Sequence, residues 1–242
     1  MNKMYYGYYG NFLGFDSVTV WQLLLIIIPF ALCLGAQILV KSRYKKFSRI
    51  ANARNLTGAQ AAYELLQANG VTNVQIARVQ GQLTDNYNPR TNTISLSEGV
   101  YDSTSIAAIG IACHEAGHAC QYAENYFPIK VRSKVIPAAN IGSSIGLPLC
   151  IIGLIFSSFS FLFTIGIILY STVFLFQLIT LPVEFNASSR ALKTIRERGL
   201  LQEQEYAGAK SVLTAAALTY VASMASSLLT MVRLLLLNGR RK

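Results

Sequence analysis

The chain has 242 residues, of which 52% are hydrophobic and only 13% charged, with a formal net charge of +10. A soluble domain carries about 25% charged residues, so the composition excludes an ordinary water-soluble globule and points to a membrane protein. The surplus of base admits nucleic acid or anionic lipid as a partner, and its placement along the chain decides between them.

Residues 1–17 form a Tyr-rich lead-in with one early base, Lys3, and Val18 to Val40 run without a charge. About 20 apolar residues in a helix cross the hydrocarbon core, so residues 18–40 are expected to be a first transmembrane helix. A signal peptide would have a basic start, a shorter apolar core and a small-residue cleavage site; a retained anchor is the better reading. Tyr5, Tyr6, Tyr8, Tyr9, Phe12 and Trp21 suit the headgroup level, where amphipathic rings collect. Lys41, Arg43, Lys45, Lys46, Arg49 and Arg54 follow at once. The positive-inside rule puts them in the cytoplasm and the N-terminal segment outside. Juxtamembrane placement against anionic lipid explains the charge, and no nucleic acid partner is expected.

Residues 41–134 read as an inner-face α+β unit. Thr57-Gly58-Ala59-Gln60 is a capping box opening a short helix that Asn69-Gly70 closes. Val74, Ile76 and Val79 alternate as in a strand, Asp85 to Arg90 is turn chemistry, and Thr93 to Ser97 is another strand. Next comes a helix expected from near Asp102 or Ser103 to Asn125, carrying Cys113-His114-Glu115-Ala116-Gly117-His118-Ala119. Both histidines of the chain stand in this H-E-x-x-H motif.

A helix turns about 100° per residue, so His114 and His118 sit one above the other and can each offer a nitrogen to one ion. Imidazole suits a borderline metal such as Zn²⁺. Glu115 falls at the edge of that face, where a carboxylate can take a proton from an attacking water and hand it to a leaving amine. The plain alternative is two surface histidines beside an ion-paired Glu. Against it, the flanking Ala, Gly and Cys describe tight packing, where unpaired polar groups are costly. Only Ile106 to Cys113 is unbroken apolar sequence before the motif, too short to cross a bilayer. An intramembrane-cleaving protease, which would need this helix as a span, is therefore the lesser reading.

No charge occurs between Lys134 and Glu184. That length suits two spans, 135–156 and 161–181, turned at Ser157-Ser158-Phe159-Ser160, and two crossings return the chain to the side of the motif. Pro182 suits the first turn of a new helix ending at Gly199, so residues 182–210 are expected to be this helix and a loop. Residues 211–237 are a fourth apolar helix, either a span, which would put the basic tail Arg240-Arg241-Lys242 outside, or a segment packed on the catalytic unit or lying at the interface; its small residues, such as Ala215 to Ala217, fit close packing. Tyr206 and Tyr220 are candidates to stabilise an oxyanion, or simply packing residues.

A hydrolytic zinc takes three protein ligands and a water, and no third histidine exists. Of the 11 acids, Glu115 is committed as base and Asp16 precedes the first span. Glu64, Asp85, Glu98 and Asp102 occupy surface, turn or cap positions, Glu124 is turned off the ligand face, and Glu197, Glu203 and Glu205 lie in a solvated stretch. Glu184 stands in an apolar context where a lone carboxylate is expensive. It is the expected third ligand, the alternative being a carboxylate favoured by a helix N-terminus. The four cysteines lack ligand spacing and read as small buried hydrophobes.

The sequence His114-Glu115-Ala116-Gly117-His118, a membrane hairpin, and then Pro182-Val183-Glu184-Phe185-Asn186-Ala187-Ser188 resembles the bacterial YugP-type membrane zinc metallopeptidases. Leu83-Thr84-Asp85-Asn86-Tyr87-Asn88-Pro89-Arg90 is similar to that group as well, and the resemblance runs from about Leu56 to Tyr220. It extends more distantly to the HtpX-like membrane proteases, which tend to carry an Asp four residues after the ligand Glu to buttress a histidine. Here that place is Ser188, which can still accept a hydrogen bond from an imidazole N–H. The resemblance implies that the strand before the motif helix pairs with substrate backbone, unless it merely covers the core.

The expectation is a multi-pass α-helical membrane protein with a small α+β zincin-like, gluzincin-type catalytic unit. It would be a zinc endopeptidase of a bacterial cell membrane, with its active site on the cytoplasmic face and a membrane or soluble polypeptide as substrate. One Zn²⁺ per chain would be held by His114, His118 and Glu184, with Glu115 as catalytic base. A non-catalytic zinc-binding scaffold would share the same motifs.

Overall fold

The computed structural model describes residues 17–239. The lead-in 1–16, with its tyrosines and Asp16, and the basic tail 240–242 lie outside the described residues. Four helical stretches are long and apolar enough to cross a membrane: Val20–Phe47, Phe127–Ile155, Phe161–Glu197 and Glu203–Gly239. Their outward faces stay apolar, with Phe30 and Ile168 among the residues exposed, as a helix facing hydrocarbon requires.

Helix α1 (Ser17–Phe47) continues beyond the apolar block through the basic residues Lys45 and Lys46 of its last turn. Helix α2 (Gly58–Ala68) has the reciprocal capping box the sequence announces, with Thr57 Oγ1 accepting from the Gln60 N–H and Gln60 Oε1 from the Thr57 N–H. A sheet of three strands follows, β1 (Gln75–Val79), β2 (Asn86–Asn88) and β3 (Thr93–Ser97), in the order β1-β3-β2. Strand β3 is parallel to β1 and antiparallel to β2, with Ile94 opposite both Ile76 and Tyr87. Two expectations are corrected here. The stretch Asp85 to Arg90, read as turn, contains β2, because Asn86–Asn88 find ladder partners on β3. And β3, the strand before the motif, is central, so its edges are occupied and cannot take a substrate strand.

After the short helix α3 (Glu98–Tyr101) comes the motif helix α4 (Ile106–Ala123), which starts later than expected because Ser105 is the cap, its Oγ accepting from the Ala108 N–H. Helix α4 is buried on nearly every side. Leu65 and Leu66 of α2, Ile94 and Leu96 of β3, and later Ile195 and Leu213 surround it in one core.

The chain then enters a hairpin. Helix α5 (Phe127–Ile141) passes through a wide π turn at Gly142–Gly146 into α6 (Leu147–Ile155), and a 3-10 turn at Ser157–Phe159 leads into α7 (Phe161–Glu197). Glycines close it: Gly142 and Gly146 lie against Leu169 and Tyr170 of α7, and Gly166 lies against Cys150, the small-residue contact that lets apolar helices gain dispersion energy in lipid. Pro182 does not begin a helix; it lies inside α7, which runs unbroken for 37 residues. Such an interior proline is tolerated in a long helix packed by neighbours.

Helix α8 (Glu203–Gly239) packs on the motif helix with its first turns and is also long and apolar enough to cross a membrane. Its first turns press Gly208 on Phe47 and Ile106 and Ala209 on Gly110. The remainder runs antiparallel to α1, with Cys33 Sγ 3.8 Å from the Ala222 carbonyl and Arg233 Nε 3.3 Å from Gln22 Oε1.

A side chain at position 166 would meet Cys150 Sγ at 2.5 Å and the Gly146 carbonyl at 2.6 Å. Gly166→Leu is therefore expected to destabilise the protein by roughly 1–3 kcal/mol, read as a lowered midpoint in thermal unfolding of the detergent-solubilised chain.

Candidate metal centre

Three elements converge on one point. Helix α4 supplies His114, Glu115 and His118, α7 supplies Glu184, and the half-buried Tyr220 of α8 lines the same cavity of about 430 Å³. The approach of α4 to α7 depends on Gly117, where a Cβ would lie 2.7 Å from the Ala187 carbonyl. Only a residue without a side chain lets the two backbones come so close.

The histidine rings stand edge to face, 4.7 Å apart at 81°. Glu184 Oε2 lies 3.3 Å from His114 Nε2 and 3.4 Å from His118 Nε2, and the three ligand atoms fall within 4.8 Å of one another. Two protein atoms bound tetrahedrally to zinc at about 2.05 Å stand roughly 3.3 Å apart, which matches the two separations between Glu184 and the histidines.

The far nitrogens of both rings are held. His114 Nδ1 is 3.1 Å from Ser188 Oγ, so the serine buttresses the ring without bringing a charge. His118 Nδ1 is 3.0 Å from Gln121 Oε1. Gln121 is fully buried, and its amide donates to the Val183 carbonyl at 2.8 Å and to Asn186 Oδ1 at 2.9 Å, which turns its oxygen toward the ring. Gln121 Oε1 can only accept, so His118 Nδ1 carries a proton, and the Nε2 atoms of both rings face Glu184. A buried carboxylate oxygen beside two imidazole nitrogens is costly unless a proton or a metal cation lies between them. Consistent with that, Glu184 Oε2 has no hydrogen-bond partner. The donor set fits a divalent metal.

Arg132 of α5 places Nη1 3.4 Å from Glu184 Oε1, so one oxygen is anchored and the other is left for an ion. Burial pushes the Glu115 carboxyl above the ordinary glutamate range, against the pull of His114 and His118, and the negative charges of Glu184 and Asp85 add to the rise. For His118, burial disfavours the charged form, but Glu184 and Glu115 outweigh it and raise the pKa.

The remaining acids are engaged elsewhere. Glu64 pairs with Arg54, Glu98 and Asp102 with Arg78, Glu124 with Arg190, Glu197 with Lys193 and Glu203 with Arg196. Glu205 caps the N–H groups of Ala53 and Gln202. Asp85, set aside as a turn residue, instead lines the site cavity and accepts from the Ser97 N–H and Oγ. Tyr206 stacks under the Arg196 guanidinium at 4.1 Å in a different cavity. Gln121 and Arg132 were not singled out by sequence; for Gln121 the usable signal was a lone neutral polar residue one turn past His118 in an apolar run.

Residues 22–239 match the family described as "Putative neutral zinc metallopeptidase". The chain belongs to this family. It is also similar to the "Putative membrane protease YugP" of Bacillus subtilis (strain 168), with 43% identity over 218 residues that cover 89% of this chain and 96% of the relative. No solved structure matches the chain. The family description names zinc, and the His114, His118, Glu184 cluster falls within the matched residues.

Since α4 and α7 meet through Gly117, Gly117→Val is expected to separate the histidines from Glu184. Zinc per chain, measured by atomic emission, should fall several-fold while the helical circular dichroism is retained.

Proposed function

We propose that the protein is a zinc-dependent endopeptidase of the cell membrane, its catalytic cluster at the cytoplasmic surface of the bilayer. One Zn²⁺ per chain is held by His114, His118 and Glu184, a gluzincin-type ligand set, and Glu115 is the catalytic base. The observation that carries this reading is the buried Glu184 Oε2, without a hydrogen-bond partner and within 3.4 Å of two imidazole nitrogens.

When bound, zinc supplies the Lewis acid that activates a water at neutral pH and polarises the scissile carbonyl. Glu115, next to His114 on α4, takes the proton of the attacking water and passes it to the leaving amine. Its burial holds the carboxyl in a low-dielectric setting, which raises its basicity toward the range that such proton transfer needs. The Tyr220 hydroxyl, which borders the cavity beside Glu184, is placed to donate a hydrogen bond to the oxygen that becomes negative during attack. The segment Asp85 to Arg90 walls the same cavity, and β2 has a free edge away from β3. An extended peptide adds to that edge, which takes the recognition role expected of β3.

The charge of the other loops supports this topology. Lys41, Arg43, Lys45 and Lys46 crowd the end of α1 nearest the catalytic cluster, with Arg190, Lys193 and Arg196 on the same side, and positive residues stay inside. The motif helix is not one of the four membrane-length helices, so the scissile bond is cut beside the bilayer.

In detergent, the wild type is expected to hold about one zinc and to cleave casein. Glu184→Ala should lose the metal, and Glu115→Gln should keep it while losing about 10²–10⁴-fold in cleavage rate. Zinc kept in Glu184→Ala would place the third ligand elsewhere, and stoichiometric zinc without wild-type cleavage would favour a metal-binding scaffold. For topology, Gln80→Cys is expected to react with a membrane-impermeant maleimide only after lysis; labelling of intact cells would reverse the orientation.

A further inference from the structure

The catalytic cavity of about 430 Å³ has a smaller neighbour of about 160 Å³, and Asp85, His114, Glu115 and Tyr220 line both. The smaller space thus shares a wall with the candidate metal centre. The rest of its lining is chiefly aliphatic, Val40 of α1, Ile111 of α4, Val212, Leu213 and Ala216 of α8, and Leu83 from the loop before β2, with Tyr44 of α1 the one further aromatic residue.

Leu83 is unusual on two counts. Its φ is +55°, in the region that favours glycine and asparagine, and it is 47% exposed. Asn55, Asn92 and Asn125 occupy the other positive-φ positions held by non-glycine residues among the described residues, where a short polar side chain eases the conformation. Leucine at such a position gains nothing locally. Its place beside Asp85 brings an apolar group to the lining of the side chamber, and strained backbone of this kind tends to gather at binding sites.

We infer that this chamber is the specificity subsite of the peptidase, receiving a branched aliphatic or phenyl side chain from the residue next to the scissile bond. The inference rests on the peptidase reading for its ligand. Size supports the class, because an apolar cavity of about 150 Å³ holds a benzene ring. Chemistry supports it too: the Asp85 carboxylate on the wall already accepts the Ser97 N–H and Oγ, and a substrate ammonium or guanidinium would lose its water among aliphatic groups. Ala216 and Ile111, both only half-buried, set the volume. A larger residue at 216 fills the chamber, and a smaller one at 111 widens it.

The test uses the zinc-loaded, full-length protein in detergent and a series of dipeptide hydroxamates that differ in one side chain: methyl, isobutyl, benzyl, indolylmethyl or guanidinopropyl. Affinities are measured by titration calorimetry, beside cleavage of a peptide library. In the wild type, the isobutyl or benzyl compound is expected to bind at least about tenfold more tightly than methyl or guanidinopropyl, the discrimination an apolar pocket yields. Ala216→Phe should remove that preference while leaving zinc content and methyl-compound affinity intact, and Ile111→Ala should shift the optimum toward indolylmethyl. Equal affinities across the series, a preference for guanidinopropyl, or a preference untouched by Ala216→Phe would each overturn the subsite. Side-chain preference in the hydroxamates without any peptide cleavage would instead uphold the subsite and overturn the peptidase reading, so the two fail separately.

Discussion

A buried carboxylate oxygen within 3.4 Å of two imidazole nitrogens is the interaction on which this structure turns. The Glu184 carboxylate is costly at that position unless a proton or a metal cation stands between it and the rings. Every surrounding contact fixes the arrangement instead of relieving it. Ser188 and Gln121 take the outer ring nitrogens, Arg132 takes the other carboxylate oxygen, and Gly117 allows the helices to meet. Such outer contacts orient ligands and set their tautomers, and their joint presence makes the cluster a site prepared for a cation.

The cluster is tied to the membrane part through α7. That single helix carries the glycine-packed hairpin contact at Gly166 and, further along, Glu184 and Ser188. A continuous helix transmits position at 1.5 Å per residue with little slack, so anchoring α7 in the hairpin places its carboxylate against α4. Helix α8 does likewise from the other side, lying along α1 while its first turns press on α4 and its Tyr220 borders the cavity. The membrane-length helices also wall the metal-site cavity and its neighbour, which is why these are lined by Val40 of α1 and Ile136 of α5 as well as by the sheet.

Much of the site was legible before any coordinates. The spacing of His114, Glu115 and His118 dictates a shared helix face, and counting acids left Glu184 as the carboxylate without another place to be. The errors came where local pattern and tertiary pairing disagree. Asn86 to Asn88 carries turn residues but pairs with β3, and Pro182 looks like a helix start but is carried inside a helix whose neighbours hold it. Asp85 looked like a turn cap because nothing local says that its loop folds over the motif helix.

The sequence by itself carried the motif and the membrane-length blocks. Two histidines four apart with a glutamate between share one helix face, and uncharged blocks of membrane length mark helices able to cross a bilayer, because both follow from helix period and transfer free energy, which are local properties. Only the tertiary structure decided which strand has a free edge, which nitrogen of each histidine faces the carboxylate, that Gln121 and Arg132 hold the cluster, and that an aliphatic chamber opens beside it. Those depend on residues such as Asn86 and Ser95, or Gln121 and Val183, meeting across the fold, and contacts between distant segments have no period in the chain from which to be read.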